Sequence, residues 1–540
     1  MTFEIRGRDI LARIGRLETK SGTIETPLLL PVINPAVQPI QPRALQEDFG
    51  CKALITNAYI IRKHFKDEAA HRGIHDLLDF KGVVMTDSGA YQILKYGDIE
   101  TTPEEIVQYQ ESIDTDIATI LDVPTGWGIS KKHAQQTVDE TLLRARTLDK
   151  VKEDIAWVGP VQGGQFLDVL AKSAKKMGRL PFQIHALGSP TPVMEQYLFD
   201  VLVDMIMTTK INLPSDRPLH LFGAGHPFMF ALAVALGCDL FDSAAYAIYA
   251  RKNRYMTEHG TMHLKELEYF PCSCSACGKR DPHSVIAMPQ SERQMILAQH
   301  NLHVCFSEVK RIKQAIVEGR LWEHLELRAH GHPALFQALK RLQKYSEHLE
   351  KQSSVTKKSG LFFFGSPGLA RPEVVHYRKN LSERYSPPKG ARILVLLPQT
   401  RMKPFHNSKE QQRTLKEVQQ KFGDKIHEIH VCTYAAPFGV IPLELDEVYP
   451  LSQHEIATPL DTETINDTAS QVANYIKSTN YKQVILLQDT ENWKKNIAKA
   501  CKGACAKKKT SLKLLQTKKP WGGVALNDLV NAIREALVES

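Results

Sequence analysis

Eight apolar runs punctuate the first 245 residues, and each ends in a small, polar or acidic cluster: TPLLLPVIN, KALITNAY, GVVMTDSG, IATILDVPT, WVGPVQGG, FQIHALGS, PLHLFGAG and CDLFDSA. Strands buried on both faces read as near-continuous apolar sequence, and they belong to parallel sheets covered by helices. Amphipathic stretches such as TPEEIVQYQESI, KKHAQQTVDETLLRARTL and FLDVLAKSAKKM supply those helices, and GHPFMFALAVALG reads as a more buried one. The alternation predicts an α/β fold with a parallel sheet. Eight units predict closure into a (β/α)8 TIM barrel, whose active site lies at the C-terminal ends of the strands. An open doubly wound sheet is the structural alternative.

Beyond the barrel the pattern changes. Residues 293–355 are helical in character, and KQSSVTKKSG (351–360) reads as a boundary. Past it ARILVLLPQT, KIHEIHVCTY and YKQVILLQDT read as strands separated by helices. The expected organisation is a barrel domain with a zinc-binding insertion over 1–292, a helical segment over 293–355 that completes it, and a smaller C-terminal α/β domain over 356–540. The lysine-rich AKKKTSLKLLQTKK (506–519) reads as a solvated basic surface, with phosphate contact as its other reading. The net charge of +9 is compatible with a polyanionic partner.

No apolar run reaches the roughly 18 residues that a membrane span requires, and the charged start MTFEIRGRDILARIG lacks a signal-peptide core. A cytoplasmic protein without a membrane partner is expected, so the nine cysteines are not read as a disulfide framework. Three of them, Cys272, Cys274 and Cys277, fall within six positions in FPCSCSACGK. That C-x-C-x-x-C spacing offers three thiolates, and tetrahedral zinc takes a fourth ligand. His300, 23 residues after Cys277, is the first candidate; His303 is its rival, and Cys305 a weaker one. Four protein ligands close the site, so one structural Zn2+ per chain is expected. Three free thiols are the reading without metal.

Two strand-end motifs carry carboxylates: TDSGAYQ with Asp87 on the third expected strand, and FDSAAYA with Asp242 on the eighth. Across one substrate, one carboxylate can attack a sugar anomeric carbon while the other moves a proton. Alternatively each Asp caps the helix that follows it. Between them lie Asp122 in LDVPTGWG, Gln162 in PVQGGQ and Gly188 in HALGS. A carboxylate, an amide and glycine backbone suit a guanine-like edge, with donors at N1 and N2 beside the O6 acceptor. Tyr91 is positioned in the motif to stack on a base, or to fill core.

Taken in order, DSGAYQ, LDVPT, VQGG, HALGS, HLFGAGHP, FDSAAYA and FPCSCSAC with His300 resemble the tRNA-guanine transglycosylases over roughly residues 3–345. The resemblance is closest to the archaeal branch, which replaces guanine at position 15 of tRNA with 7-cyano-7-deazaguanine on the way to archaeosine. It implies a double displacement at C1′, with Asp242 and Asp87 as the catalytic pair and either one open to the nucleophile role. It further implies that Asp122, Gln162 and the Gly188–Ser189 backbone read the base, with Ser88 nearby and Tyr91 stacking. The resemblance also implies a homodimer that acts on tRNA. Tyr91 replaces the usual Phe, and Ser189 stands where a second Gly is usual. PQTRMKPFHNSKEQ (398–411) and APFGVIPLELDEVYP (436–450) resemble the tail of archaeosine synthase, which adds an amine donor to the nitrile. Lys403, Pro404 and Ser408 match its pattern, whereas Gln399, Phe405 and Gln411 replace its Cys, Tyr and His. A synthase-type amine transferase and a non-catalytic zinc-bearing tRNA-binding protein are therefore the alternative functions.

Overall fold

The computed structural model describes residues 2–90, 101–146 and 151–538. The chain divides into two compact units, Met1–Arg341 and Leu342–Ser540. The division falls inside the helical stretch 293–355. Helices Gln290–Glu318, Leu321–Ala329 and Pro333–Arg341 belong to the first unit. Helix Ser346–Gln352 packs in the second, where Glu350 accepts a 2.7 Å bond from His376.

The first unit opens with an antiparallel sheet of β1 (Phe3–Asp9), β2 (Ala12–Thr19) and β3 (Gly22–Thr26). Eight parallel strands follow: β4 (Leu28–Ile33), β5 (Ala53–Asn57), β6 (Val83–Asp87), β7 (Ile117–Thr119), β8 (Ala156–Val161), β9 (Ile184–Leu187), β10 (Leu219–Leu221) and β11 (Leu240–Ser243). They close in sequence order, with β11 pairing β4. All eight apolar runs are barrel strands, and the open-sheet alternative is excluded.

Alternation along the strands builds the interior. Ala53 and Ile55, Val83 and Met85, Ala156 and Val158, and Ile184 and Ala186 share one buried cluster with Leu30, Ile117 and Leu240. Leu17 and Ile24 of the antiparallel sheet join the same cluster. The intervening residues, such as Leu54 and Val84, pack in a second cluster with helical residues. Side chains two apart share a face, so the inward set continues beyond the apolar layer to Asn57, Asp87, Gln162, Gly188 and Asp242. Asn57, Asp87 and Asp242 are thus the last inward positions of strands whose earlier inward positions are apolar. Gln162 and Gly188 continue the same alternation one residue past β8 and β9.

After β11 come the hairpin β12 (Arg254–Thr257) and β13 (Gly260–His263), the cysteine loop, and the 29-residue helix Gln290–Glu318. The second unit holds β14 (Leu361–Phe363), β15 (Ile393–Pro398), β16 (Ile429–Ala435), β17 (Gly439–Pro442), β18 (His454–Ile456), β19 (Gln483–Asp489) and β20 (Ser511–Thr517). Five of these form a sheet ordered β17-β16-β15-β19-β20, parallel except for β17, and β14 pairs separately with β18. Leu394 and Leu396 face one apolar cluster, while Ile393, Val395 and Leu397 face another. Helices therefore cover both faces, giving the smaller α/β domain its doubly wound form. Among the described residues no helix is long and apolar enough to cross a membrane.

Candidate active site and metal centre

Asp87 ends β6 directly opposite Asn57, which ends β5. The Asn57 side chain does two things: its oxygen accepts the Ile60 N–H at 3.0 Å, capping helix Ala58–Arg72, and its Nδ2 donates to Asp87 Oδ2 at 3.0 Å. Capping fixes which end of the amide meets the carboxylate. Burial, reinforced by the negative neighbours Asp122 and Asp242, pushes the Asp87 carboxyl up to about 7. Asp87 therefore exchanges a proton near neutrality.

Asp242 sits one position before the end of β11. Its Oδ1 accepts from His220 Nε2 at 2.8 Å and from the Gly223 N–H at 3.0 Å. His220 comes from the neighbouring strand β10, is fully buried, and has no partner at Nδ1 among the described residues. The ring accordingly presents Nε2–H to the carboxylate. Asp242 does not cap the helix after its strand, which starts at Ala245 with no side-chain cap. Asp87 Oδ2 also accepts the Gly89 N–H at 3.3 Å; both side chains lie at inward positions.

Asp122, three residues beyond β7, accepts a short bond from Gln162 Nε2. Gln162 Oε1 is occupied by the Thr125 N–H and the Ser189 hydroxyl, each at 3.0 Å. With its oxygen so committed, the amide must direct its NH2 toward Asp122. Burial raises Asp122 to about 6 against the pull of that amide. Gly188 permits the arrangement, because a Cβ there would lie 2.2 Å from Gln162 Nε2. Ser189 holds φ 57°, the left-handed region that favours glycine; its bond to Gln162 accompanies that strain. The Ser88 hydroxyl is fully buried with no partner among the described residues. Tyr91 lies outside the described residues.

The ligand atoms of Cys272, Cys274, Cys277 and His300 all fall within 4.8 Å of one another, and this group could hold a metal ion. His300 Nδ1 is 3.3 Å from Cys277 Sγ and 3.6 Å from Cys274 Sγ. Its Nε2 donates to Met256 O at 2.8 Å, which leaves Nδ1 as the lone-pair nitrogen facing the thiols. Tyr255 stacks on the imidazole with centroids 3.6 Å apart. His303 instead meets Ser275 Oγ at 2.9 Å and the Phe49 ring, and Cys305 is buried near Gly225 O. The Cys3His donor set, with the second imidazole nitrogen already committed, fits a tetrahedral ion.

A model of the family described as Queuine tRNA-ribosyltransferase matches residues 9–334, more than half of the chain. The chain belongs to the queuine tRNA-ribosyltransferase family. The family region contains every barrel and metal residue described above. Relatives named tRNA-guanine(15) transglycosylase include one from Methanocaldococcus jannaschii, 42% identical over 475 residues, spanning 86% of this chain and 70% of that protein. Those from Saccharolobus solfataricus (41% identity, 90% of this chain, 96% of that protein) and Sulfolobus acidocaldarius (38%, 90% and 95%) are matched over nearly their whole length. Residues 374–532 match a second family, described only as a domain of unknown function, DUF5591.

In that second region Lys403 and Ser408 lie in the segment after β15. Ser408 Oγ donates to Phe405 O at 2.7 Å and accepts the Gln411 N–H at 3.2 Å, which makes it the cap of helix Lys409–Phe422. Burial draws the half-buried Lys403 ammonium below its usual range, partly offset by Glu455. The residues that depart from the amine-transfer pattern hold the loop: Gln399 accepts the Ala436 N–H, Gln411 donates to Thr433, and Phe405 is buried.

Asn57 and His220 were given no role by sequence reasoning. Each has a local signal: a polar residue at the last inward position of an apolar strand, and an imidazole inside one.

Proposed function

We propose that the barrel exchanges guanine, at position 15 of tRNA, for 7-cyano-7-deazaguanine by double displacement at C1′. Asp242 Oδ2, on which the described residues place no donor, attacks C1′ as the C1′–N9 bond breaks. The departing guanine takes its proton from Asp87. The incoming base returns a proton to Asp87, its nitrogen bonds C1′, and Asp242 is released. Each half-reaction is balanced, because one glycosidic bond is traded for an ester and then restored. A base inside folded tRNA must leave its stack to reach a barrel mouth.

The observation that carries this reading is the unlike pair of carboxyls: Asp87 titrates near neutrality, while Asp242 has one oxygen held by two donors and the other open. Such division of environments assigns acid–base and nucleophile roles. Base selection follows from the committed Gln162 amide. Asp122 retains acceptor capacity for N1–H and N2–H, and the second Gln162 N–H is available to O6. The Gly188–Ser189 backbone and Ser88 complete that edge, and Tyr91 is the stacking residue. Zn2+ would be held by Cys272, Cys274, Cys277 and His300, where it supplies cross-linking rather than chemistry. In the same reading the chain acts as a cytoplasmic homodimer. Incorporation of radiolabelled guanine into unmodified archaeal tRNA tests the function; no incorporation by zinc-loaded protein overturns it.

A further inference from the structure

Ten lysines and no acidic residue lie between positions 494 and 519. The other 514 residues contain 59 lysines and arginines against 60 aspartates and glutamates, so this one segment carries the chain's entire positive excess. At the chain's average, 26 residues would include about three acids. Their absence separates this stretch from an ordinary charged surface, where the two signs are mixed.

The fold displays these charges on one crossover. The segment runs through the turn before helix Asn496–Lys508, the helix itself, the edge strand β20 and the residues just beyond it. Ile497, Ala498, Cys501, Ala504 and Cys505 bury the inner side of the helix. Lys495, Lys499 and Lys502 therefore recur at i, i+4 and i+7 on its outer side. Nine of the ten lysines are exposed; the tenth, Lys508, is tied by Nζ to Thr479 O and Asn480. Among the described residues only Lys513 of the exposed nine has an ion-pair partner, Glu535 at 2.8 Å. Lysine on an edge strand guards against unwanted strand pairing, but that explains Lys513 and not the helical lysines. Like charges one helical turn apart repel, so the arrangement costs stability unless an anion neutralises it.

We propose that this lysine face of the C-terminal unit is a phosphate-docking surface for the tRNA whose guanine the barrel exchanges. The proposal rests on the base-exchange reading. A helix of 13 residues extends about 20 Å, long enough to meet several phosphates. Lysine meets a phosphate as a point charge, without the bidentate geometry that reads bases. The surface should therefore hold tRNA by its backbone, independently of sequence and with strong salt dependence.

The test uses the full chain and an unmodified tRNA transcript, with binding measured by filter retention over a series of salt concentrations. Each lost phosphate contact lowers the slope of log K against log salt by about 0.7, the single-strand value, to about 0.9, the B-DNA value. The triple variant Lys495→Gln, Lys499→Gln, Lys502→Gln should reduce the slope by about two to three. It should raise the tRNA KM at least about tenfold while kcat at saturating tRNA and zinc content stay at wild-type values, and Tm stays level or rises as the repulsion along the helix is relieved. Lys→Arg at the same three positions should restore binding. A wild-type slope and KM in the glutamine variant overturn the surface while guanine exchange still stands. Lysine-dependent tRNA binding by a wild-type chain that exchanges no guanine overturns the function and leaves the surface.

Discussion

His220 Nε2 lies 2.8 Å from Asp242 Oδ1, and the Gly223 N–H reaches the same oxygen at 3.0 Å. One carboxylate oxygen is thereby fixed, and the other is aimed by it. A hydrogen bond to a charged group contributes about 1.5–3 kcal/mol. Replacing His220 with Ala should lower exchange kcat about 10- to 100-fold with little change in the tRNA KM. His220→Gln, which can keep an N–H near Oδ1, should recover part of the loss. Equal losses in both variants, or a loss confined to KM, would argue that His220 only fills the core.

Asp87 and Asp242 themselves should be indispensable. Asp87→Asn and Asp242→Asn should each abolish guanine exchange below detection while tRNA binding persists, because affinity is drawn mainly from phosphate contacts. Trapping of a covalent tRNA adduct in denaturing gels should fail for Asp242→Asn. An adduct that survives in that variant would transfer the nucleophile role to another residue.

The Asp87 carboxyl is raised by burial and by two negative neighbours, from an ordinary aspartate value to about 7. Between those values the folded chain keeps a proton that the unfolded chain has lost. This group's contribution to stability, full below the ordinary aspartate value, is therefore lost as pH rises from there through about 7. Guanine release in a single turnover needs the proton and should fall over the same range. Asp122→Asn removes one of the negative neighbours, so the falling limb should move to lower pH. An unmoved limb would mean that a different group titrates.

Purified protein should contain about one zinc per chain. Cys274→Ala should lose the metal, and chelation of the wild type should lower its Tm, because the four ligands join the cysteine loop to helix Gln290–Glu318. Active, folded and metal-free wild type would remove the zinc assignment.

Gly188→Ala should damage base recognition more than folding. The added Cβ would lie 2.2 Å from Gln162 Nε2 and push the amide away from Asp122. Displacement of a positioning group by about 1 Å can cost on the order of 100-fold. The loss should be read in the KM for free guanine, with Tm close to wild type.

Much of this was legible locally. Burial on both faces writes a strand as an apolar run, and the period of two then says which residues continue inward. Asp87, Gln162, Gly188 and Asp242 follow from those two facts once the barrel closes, as do the Cys272, Cys274 and Cys277 thiols from their spacing. The partners did not follow. Asn57 meets Asp87 across 30 residues of chain, and His220 meets Asp242 across 22; both pairings depend on strand register, which no local pattern encodes. His300 and His303 lie on one helix three positions apart, and their spacing alone does not distinguish them. The direction of the imidazole does, since His300 gives Nε2–H to Met256 O and turns Nδ1 to the sulfurs. Ser408 shows the converse, a residue that matched a chemical pattern and caps a helix. Sequence determined the barrel and the identity of its polar rim, because these arise from hydrophobic periodicity. Tertiary structure decided which polar atoms are held and which are left open, because hydrogen-bond geometry is set by elements distant in the chain.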